Sequence, residues 1–175
     1  MKKLIYTLLA VSMIFTACKK EEGCTDAIAT NYNADAEDDD NSCIYSIVGT
    51  WSPNTINVNS ITTATTAGLT VTMLDTTYTM NPDEAGIEGN IEFTNDGEVI
   101  TTNNYSEIET DNYTTSGSNL TIINSDDGYG ETNDVATYTV TKKNLTFTMS
   151  DTETETDMGT TITNTFDITF NCTRQ

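Results

Sequence analysis

Residues 162–172, near the end of the chain, read Ile-Thr-Asn-Thr-Phe-Asp-Ile-Thr-Phe-Asn-Cys. Successive side chains of an extended strand point to opposite faces. The apolar side chains of this stretch therefore share one face, and threonine is the commonest residue on the other. Threonine is β-branched, and β-branched residues favour pleated, half-buried surfaces. The stretch predicts a strand that covers a core on one side and meets water on the other.

Comparable short runs of alternating apolar and polar residues occur between residues 69 and 150. Within residues 69–80 the alternation slips by one position at Met73 and Leu74, and such a slip indicates a β-bulge. Asn95-Asp96-Gly97 is a strong hairpin turn between two of the runs. No ten-residue segment between the runs has a helical apolar period, so the connections are predicted to be tight turns.

These runs predict about eight or nine short strands joined in sequence. A chain of hairpins with one apolar face favours an all-β fold, an antiparallel up-and-down β-barrel over residues 44–175, because closure removes exposed edges. A β-sandwich is the alternative, although it needs longer crossing connections. Residues 52–68 are rich in Ser, Thr and Asn, and we expect them to form a long loop between the first two strands.

The apolar residues of these strands fall on the inner side of the predicted barrel. Small barrels either enclose a ligand cavity or are filled by their own side chains, and both arrangements remain open for this chain. The residues that would line a ligand pocket are Ile91, Phe93, Tyr138, Phe147, Met149, Phe166 and Phe170.

The two ends of this region resemble the closure of a lipocalin barrel. Gly49-Thr50-Trp51 resembles the Gly-x-Trp motif that opens lipocalins, and Arg174 stands where their last strand carries an arginine. The resemblance implies that the Arg174 guanidinium packs across the Trp51 indole, as a cation–π pair. It further implies that Gly49, Trp51 and Arg174 close the barrel and do not catalyse a reaction. A lipocalin-like barrel is expected to bind a small hydrophobic ligand.

Residues 1–17 have the organisation of a secretory signal peptide. Lys2-Lys3 precedes an apolar run at residues 4–15, which is too short to span a bilayer as a helix. Phe15-Thr16-Ala17-Cys18 resembles the bacterial lipoprotein box, which implies that Cys18 receives diacylglyceryl and acyl chains such as palmitate. The tether at residues 18–23 contains Lys20-Glu21-Glu22, which resembles a surface-export signal of Gram-negative lipoproteins. These resemblances imply a lipid-anchored outer-membrane protein that faces the cell exterior, a periplasmic location being the alternative.

An acidic segment at residues 24–43 is bounded by Cys24 and Cys43 and has too little apolar content to form a core. In an oxidising compartment these two cysteines are expected to form a disulfide, with Cys172 a buried free thiol. A Cys43–Cys172 disulfide is the competing arrangement. The segment resembles a short cysteine-bounded module of secreted bacterial proteins, in which proline replaces Ala27 and glycine replaces Asn41.

Oxygen-bearing side chains are concentrated in this acidic segment, and oxygen ligands are those that Ca²⁺ prefers. An EF-hand loop counted from Asn31 would have glycine at Ala36 and glutamate at Ser42, so the segment is not an EF-hand. A solvated acidic spacer is the alternative to a calcium site, and no other cofactor is predicted. The candidate calcium ligands are Asn31, Asn33, Asp35, Asp38 and Asp39.

The charge and composition of the chain restrict the classes of function that it can have. It carries 27 acidic and 7 basic residues, a formal net charge of −20, which repels nucleic acids and anionic headgroups. It has no histidine, which removes the commonest general base, and we predict no enzymatic activity. Three classes remain: a carrier of a small hydrophobic ligand, an interaction module that binds a surface protein or glycan, and a calcium-dependent adhesive protein.

Overall fold

A computed structural model describes residues 20–103, 105–124 and 132–175 of the chain. Residue contacts divide the chain into two compact units, Met1–Tyr45 and Ser46–Gln175. The predicted signal peptide at residues 1–17 and the predicted lipidation site Cys18 lie outside the described residues. Within the described ranges, no helix is both long and apolar enough to cross a membrane.

The described residues form eleven strands and one short 3-10 helix, Asp83–Ala85. The first two strands pair in parallel within the first unit, and the other nine form one sheet in the second. The strands are β1 (Glu22–Gly23), β2 (Asp38–Asp39), β3 (Gly49–Thr66), β4 (Leu69–Met80), β5 (Ile87–Phe93), β6 (Glu98–Asn103), β7 (Ile108–Ser116), β8 (Asn119–Asn124), β9 (Thr132–Val140), β10 (Asn144–Asp157) and β11 (Thr160–Arg174).

The nine-stranded sheet closes on itself. Its strands lie in the order β11-β10-β9-β8-β7-β6-β5-β3-β4, and β11 also pairs with β3. All of these pairings are antiparallel, so β3 and β5 to β11 form a closed eight-stranded barrel. The predicted all-β barrel is therefore confirmed. Among the described residues, β4 pairs with β3 alone and stands outside the closed ring.

Alternation along the strands directs large apolar side chains into the barrel. On β3, Trp51, Ile56 and Val58 are buried. Asn54 is exposed, and it lies where the buried positions change from odd-numbered to even-numbered residues. Asn171 pairs with Thr55 and Cys172 with Pro53, so Asn54 is the extra residue of a bulge. Pro53 adjoins this bulge, and bulges are among the places where a sheet tolerates proline. The rest of the buried core is Ile47, Ile91, Phe93, Val99, Tyr113, Leu120, Ala136, Leu145, Phe147, Phe170 and Cys172.

Two local sequence predictions are confirmed. Thr62 pairs with Leu74 but Thr63 pairs with Thr72, which leaves Met73 as a bulge residue where the alternation slips. β5 ends at Phe93 and β6 begins at Glu98, so Asn95-Asp96-Gly97 lies in the connecting turn. Gly97 has a φ of +83°, a left-handed conformation that glycine adopts without steric cost.

The prediction of a loop over residues 52–68 is wrong. Residues 52–66 continue β3, which is hydrogen-bonded to β11 over its length and to β4 from Ile56 onward. Ser, Thr and Asn here are strand residues whose side chains bond across the ladder, as between Thr79 and Asn57 at 2.8 Å. A polar composition in this segment reflects a solvent-exposed sheet, because threonine is as well suited to strands as an apolar β-branched residue.

Four strands extend beyond the barrel as a sheet that we call the arm. It consists of β4 with residues 59–66 of β3, 160–167 of β11 and 150–157 of β10, in the order β4-β3-β11-β10. β10 pairs with β9 only as far as Met149, so its remaining residues have a partner on one side only within the described ranges. In the part of the chain that the structure describes, the arm thus has two free edges, one on β4 and one on β10.

Candidate functional site

Arg174 and Trp51 close one end of the barrel. The Arg174 Cζ lies 4.1 Å from the Trp51 ring centroid, the cation–π geometry that the lipocalin resemblance implies. The guanidinium also donates hydrogen bonds to the Val48 carbonyl at 3.0 Å and the Ser46 carbonyl at 2.8 Å. The Trp51 indole N–H donates to the Ile47 carbonyl at 2.7 Å. This network ties the last strand to the segment that leads into the first barrel strand.

Gly49 makes room for this network. Its φ of +137° lies in a region that side chains rarely adopt, and a Cβ added there would lie 2.7 Å from Nη1 of Arg174. The guanidinium therefore occupies the space in which any other residue would place its side chain. All three predicted closure residues lie together at this end, which we call the floor of the barrel.

Side chains fill the barrel directly above the floor. Phe93 and Tyr113 make an edge-to-face contact with ring centroids 5.0 Å apart, and Leu120 and Leu145 are fully buried beside the other core residues. The Tyr113 hydroxyl donates to the Thr94 carbonyl at 2.8 Å. Burial, with a smaller effect from Tyr138, raises the pKa of Tyr113, so its hydroxyl keeps its proton. This level of the barrel is a packed core.

The seven predicted pocket residues differ in burial, and the proposal that they line one ligand pocket stays a prediction. Ile91 and Phe93 are buried at the level of Trp51, which pairs with Ile91. Phe147 and Phe170 stack at 4.5 Å with their planes 10° apart and are also buried. The remaining three are only partly buried: Tyr138, which pairs with Phe147, and Met149 and Phe166.

Among the described residues, the barrel wall is open where β9 and β10 separate. The last paired residues are Met149 and Ala136, although β9 begins earlier, at Thr132, and β10 continues to Asp157. A cleft of about 440 Å³ lies at this point. Met149 and Ile168 contribute apolar surface from the edge of the core, and Val135 contributes apolar surface from β9. The polar residues that line it are Asn133, Asp134, Ser150 and Asp151.

The polar side of the cleft is acidic. Asp134 and Asp151 lie on its rim, and neighbouring Ser150 donates a hydrogen bond to Asp167 at 2.5 Å. The sequence alone does not single out Asp134, Ser150 or Asp151 as site residues, because acidic residues occur throughout the chain. A usable signal was the change within β10 from apolar alternation at residues 145–149 to repeated acids at residues 151–157. That change marks where the strand leaves the closed barrel.

The disulfide prediction for the first unit is confirmed: Cys24 is bonded to Cys43, and Cys172 is free and buried. The competing Cys43–Cys172 arrangement is therefore wrong.

Asn41, which stands where the resembled module has glycine, has a φ of +63°. Asparagine tolerates this left-handed conformation better than most residues, which accounts for the exchange.

The five candidate calcium ligands take part in contacts within the first unit. Asn31 donates to the Ser42 carbonyl and accepts from the Ile44 N–H, each at 2.7 Å. Further contacts include Asn33 with the Asp35 N–H and with Glu21, Asp39 with the Asn41 N–H, and Asp38 in an ion pair with Lys20. In the part of the chain that the structure describes, no three Asp, Glu or Cys side chains are grouped to hold a metal ion. The calcium site remains a sequence prediction.

Burial also affects the free thiol of Cys172, whose pKa it raises from 9.0 to about 11. The folded state therefore binds more protons than the unfolded state between about pH 9 and 11, so stability falls as the pH rises through this window.

At pH 8 we expect iodoacetamide to leave Cys172 unmodified in the native chain and to alkylate it in urea, as read by peptide mass spectrometry. Equal labelling of native and unfolded chains would contradict this.

This chain matches no protein-family model and no curated protein. The geometry of the barrel therefore carries the argument about function. Its floor and lower level are filled by the chain's own side chains, whereas the side opening between β9 and β10 presents apolar surface to a ligand. That cleft is the candidate binding site.

Proposed function

We propose that this protein is a non-catalytic lipoprotein of the outer membrane, anchored through Cys18 and facing the cell exterior, whose lipocalin-like barrel binds a small hydrophobic ligand. The resemblance of residues 15–18 to a lipoprotein box supports the anchorage, and the export-like Lys20-Glu21-Glu22 supports the location at the cell exterior. The cleft between β9 and β10 is the observation that carries the binding proposal. The ligand's apolar part would rest against Met149 and Ile168 at the edge of the core.

The dimensions of the cleft support a small ligand. Its volume of about 440 Å³ falls within the range of about 300–1,000 Å³ that is usual for small-molecule sites. The stacked Phe147–Phe170 pair is buried beneath, so the ligand would lie at the side of the barrel and not along its axis. This position differs from a central lipocalin cavity.

Charge restricts the chemistry of the ligand. Asp134 and Asp151 border the cleft, and the whole chain has a formal net charge of −20. A negative field lowers the local concentration of anions and raises that of cations. We therefore favour a hydrophobic molecule with a neutral or cationic polar group over a fatty acid or other anionic lipid.

A second candidate is an interaction module that binds a surface protein or glycan. The filled lower barrel and the exposed arm favour it, because neither feature is needed to hold a small molecule. The two candidates differ in where substitutions act: in the cleft for the carrier, and on the arm for the interaction module.

A matched pair of methionine substitutions tests the carrier. Met149 lines the cleft, whereas Met158 is 97% exposed at the tip of the β10–β11 hairpin. We expect Met149→Glu to weaken binding of the neutral probe Nile red about tenfold or more, because one buried apolar side chain is worth about 1.5–3 kcal/mol. Fluorescence titration measures the dissociation constant, and Met158→Glu should leave it unchanged.

Circular dichroism on the same samples establishes that the Met149→Glu chain is folded. Equal probe affinity in both variants would overturn the cleft as the site. Native mass spectrometry of the chain isolated from its host without detergent then separates the two candidates. A defined excess mass that organic solvent removes identifies a carried ligand, and an empty barrel that ignores Nile red favours the interaction module.

A further inference from the structure

β4 is an unusually long strand with a free edge. It pairs with β3 from Leu69 to Met80, and none of the described residues pairs with its other edge. All but two of its twelve residues are exposed. An exposed strand edge presents a row of unpaired N–H and C=O groups, which can pair with another strand.

The two free edges of the arm differ in charge. Residues 150–157 of β10 carry four acids, and charged side chains are a common means of preventing edge-to-edge association. β4 carries one charge in twelve residues, Asp75, in a chain whose formal net charge is −20. β4 is therefore the edge on which a second acidic molecule meets least repulsion.

We propose that β4 joins two copies of this chain by antiparallel pairing about a two-fold axis. Such an interface is self-complementary, because each copy contributes the same segment. The pairing would continue the arm of one copy into the arm of the other and form an eight-stranded sheet. It concerns the assembly of the protein and goes beyond ligand binding in the cleft.

Charge and the bulge select a register. The bulge at Met73 interrupts β4, which leaves residues 74–80 as its longest regular segment. If Thr77 lies on the two-fold axis, Asp75 stands opposite Thr79 of the other copy and no carboxylates face each other. The same register places Leu74 opposite Met80 and Thr76 opposite Tyr78. Directly opposed like charges destabilise a strand pair, so this register is favoured over one centred on Asp75.

Exposed apolar side chains support the same register. Leu74 and Tyr78 are 50% and 46% exposed, and they share one face of β4 with Met80. In the paired sheet the copies would place these three residues side by side, six apolar side chains in one continuous stripe. The acid row of β10 lies three strands away, about 14 Å at the usual spacing, and salt screens charges over about 8 Å at physiological ionic strength.

A cysteine on the proposed axis tests the pairing. Opposed residues of antiparallel strands have Cα atoms about 4.5–5.5 Å apart, within the range that a disulfide spans. We expect the Thr77→Cys full chain to form a covalent dimer on mild oxidation, seen on a non-reducing gel. Thr63 lies on β3 between two paired strands, so the Thr63→Cys chain should form no covalent dimer on that gel, and neither should the wild-type chain.

A charge substitution tests association without a cross-link. Thr77→Asp would set two carboxylates face to face, and we expect it to raise the dimer dissociation constant at least tenfold in sedimentation equilibrium. Thr154→Asp makes the same change on the free edge of β10 and should leave the constant unaltered. The proposal would be overturned if the Thr77→Cys chain formed no covalent dimer or if the wild-type chain showed no dimer in sedimentation equilibrium. It would also be overturned if Thr77→Asp and Thr154→Asp raised the dimer dissociation constant equally. Equal sensitivity would indicate head-to-tail pairing of β4 with β10.

Discussion

Replacement of Trp51 by alanine is expected to lower the free energy of unfolding by about 3–5 kcal/mol, the usual cost of truncating a buried aromatic residue. Trp51 has 0% of its surface exposed and lies at the floor of the barrel. Its removal also leaves Arg174 without the ring that it covers, although the two hydrogen bonds of the guanidinium remain possible. Typical domains have about 5–15 kcal/mol of stability, so this change would leave the barrel marginally stable or unfolded.

Urea denaturation followed by circular dichroism measures this effect, because Trp51 is the only tryptophan and its fluorescence is lost in the variant. Arg174→Ala and the double variant complete a cycle that isolates the contribution of the pair. We expect a coupling energy of about 1–2 kcal/mol, as for a cation–π contact shielded from water. A Trp51→Ala chain within about 1 kcal/mol of the wild type would contradict the floor as the closure of the barrel.

The sequence contains enough information to predict the barrel and its floor. The apolar alternation of residues 162–172 places Phe170, Cys172 and Arg174 on one side of a strand, and the structure places Arg174 on Trp51. The barrel prediction is confirmed because a strand has a strict period of two, whereas the pairing of Arg174 with Trp51 is what the lipocalin resemblance implies. The bulge at Met73 is predictable for the same reason.

The arm was not predictable from apolar alternation, because its outer face is almost wholly polar. The composition of residues 52–68 predicts a loop, although residues 52–66 belong to β3, the longest of the described strands. The residues at the two hairpin tips of the arm do not indicate turns either. Ala67-Gly68 and Met158-Gly159 both adopt positive φ angles, of 51° and 81° and of 47° and 81°. Hairpins of this type favour asparagine or aspartate before glycine, so alanine and methionine conceal them.

The binding cleft depends on where a ladder of hydrogen bonds ends. Parity predicts that Met149 faces inward, but not that β9 and β10 separate just beyond it. That separation arises because β10 continues on β11 to Asp157 while β9 does not follow. Strand length and register are tertiary properties, and they decide which of several inward-facing apolar residues meets solvent.

Removal of the Cys24–Cys43 disulfide is expected to unfold the first unit. Its 19-residue separation gives a stabilisation of about 3 kcal/mol in the chain-entropy model. Few other contributions are available, because the buried apolar residues of this segment are Cys24 and Ala29. In the Cys24→Ser/Cys43→Ser chain we expect limited proteolysis to cleave within residues 24–43 at least tenfold faster than in the wild type. The barrel has its own core and should resist the protease, so a barrel fragment should accumulate during digestion.

The matched control for this experiment is Cys172→Ala, which removes a thiol from the second unit without breaking a disulfide. Cleavage within residues 24–43 should be as slow in that chain as in the wild type. Slow cleavage in the double serine variant would mean that the hydrogen bonds of Asn31 and the aspartates, with the Lys20–Asp38 ion pair, suffice to hold the segment. Exposed ion pairs contribute about 0–1 kcal/mol, and solvent competes for the exposed hydrogen bonds. The cross-link is therefore expected to be the dominant constraint on this unit.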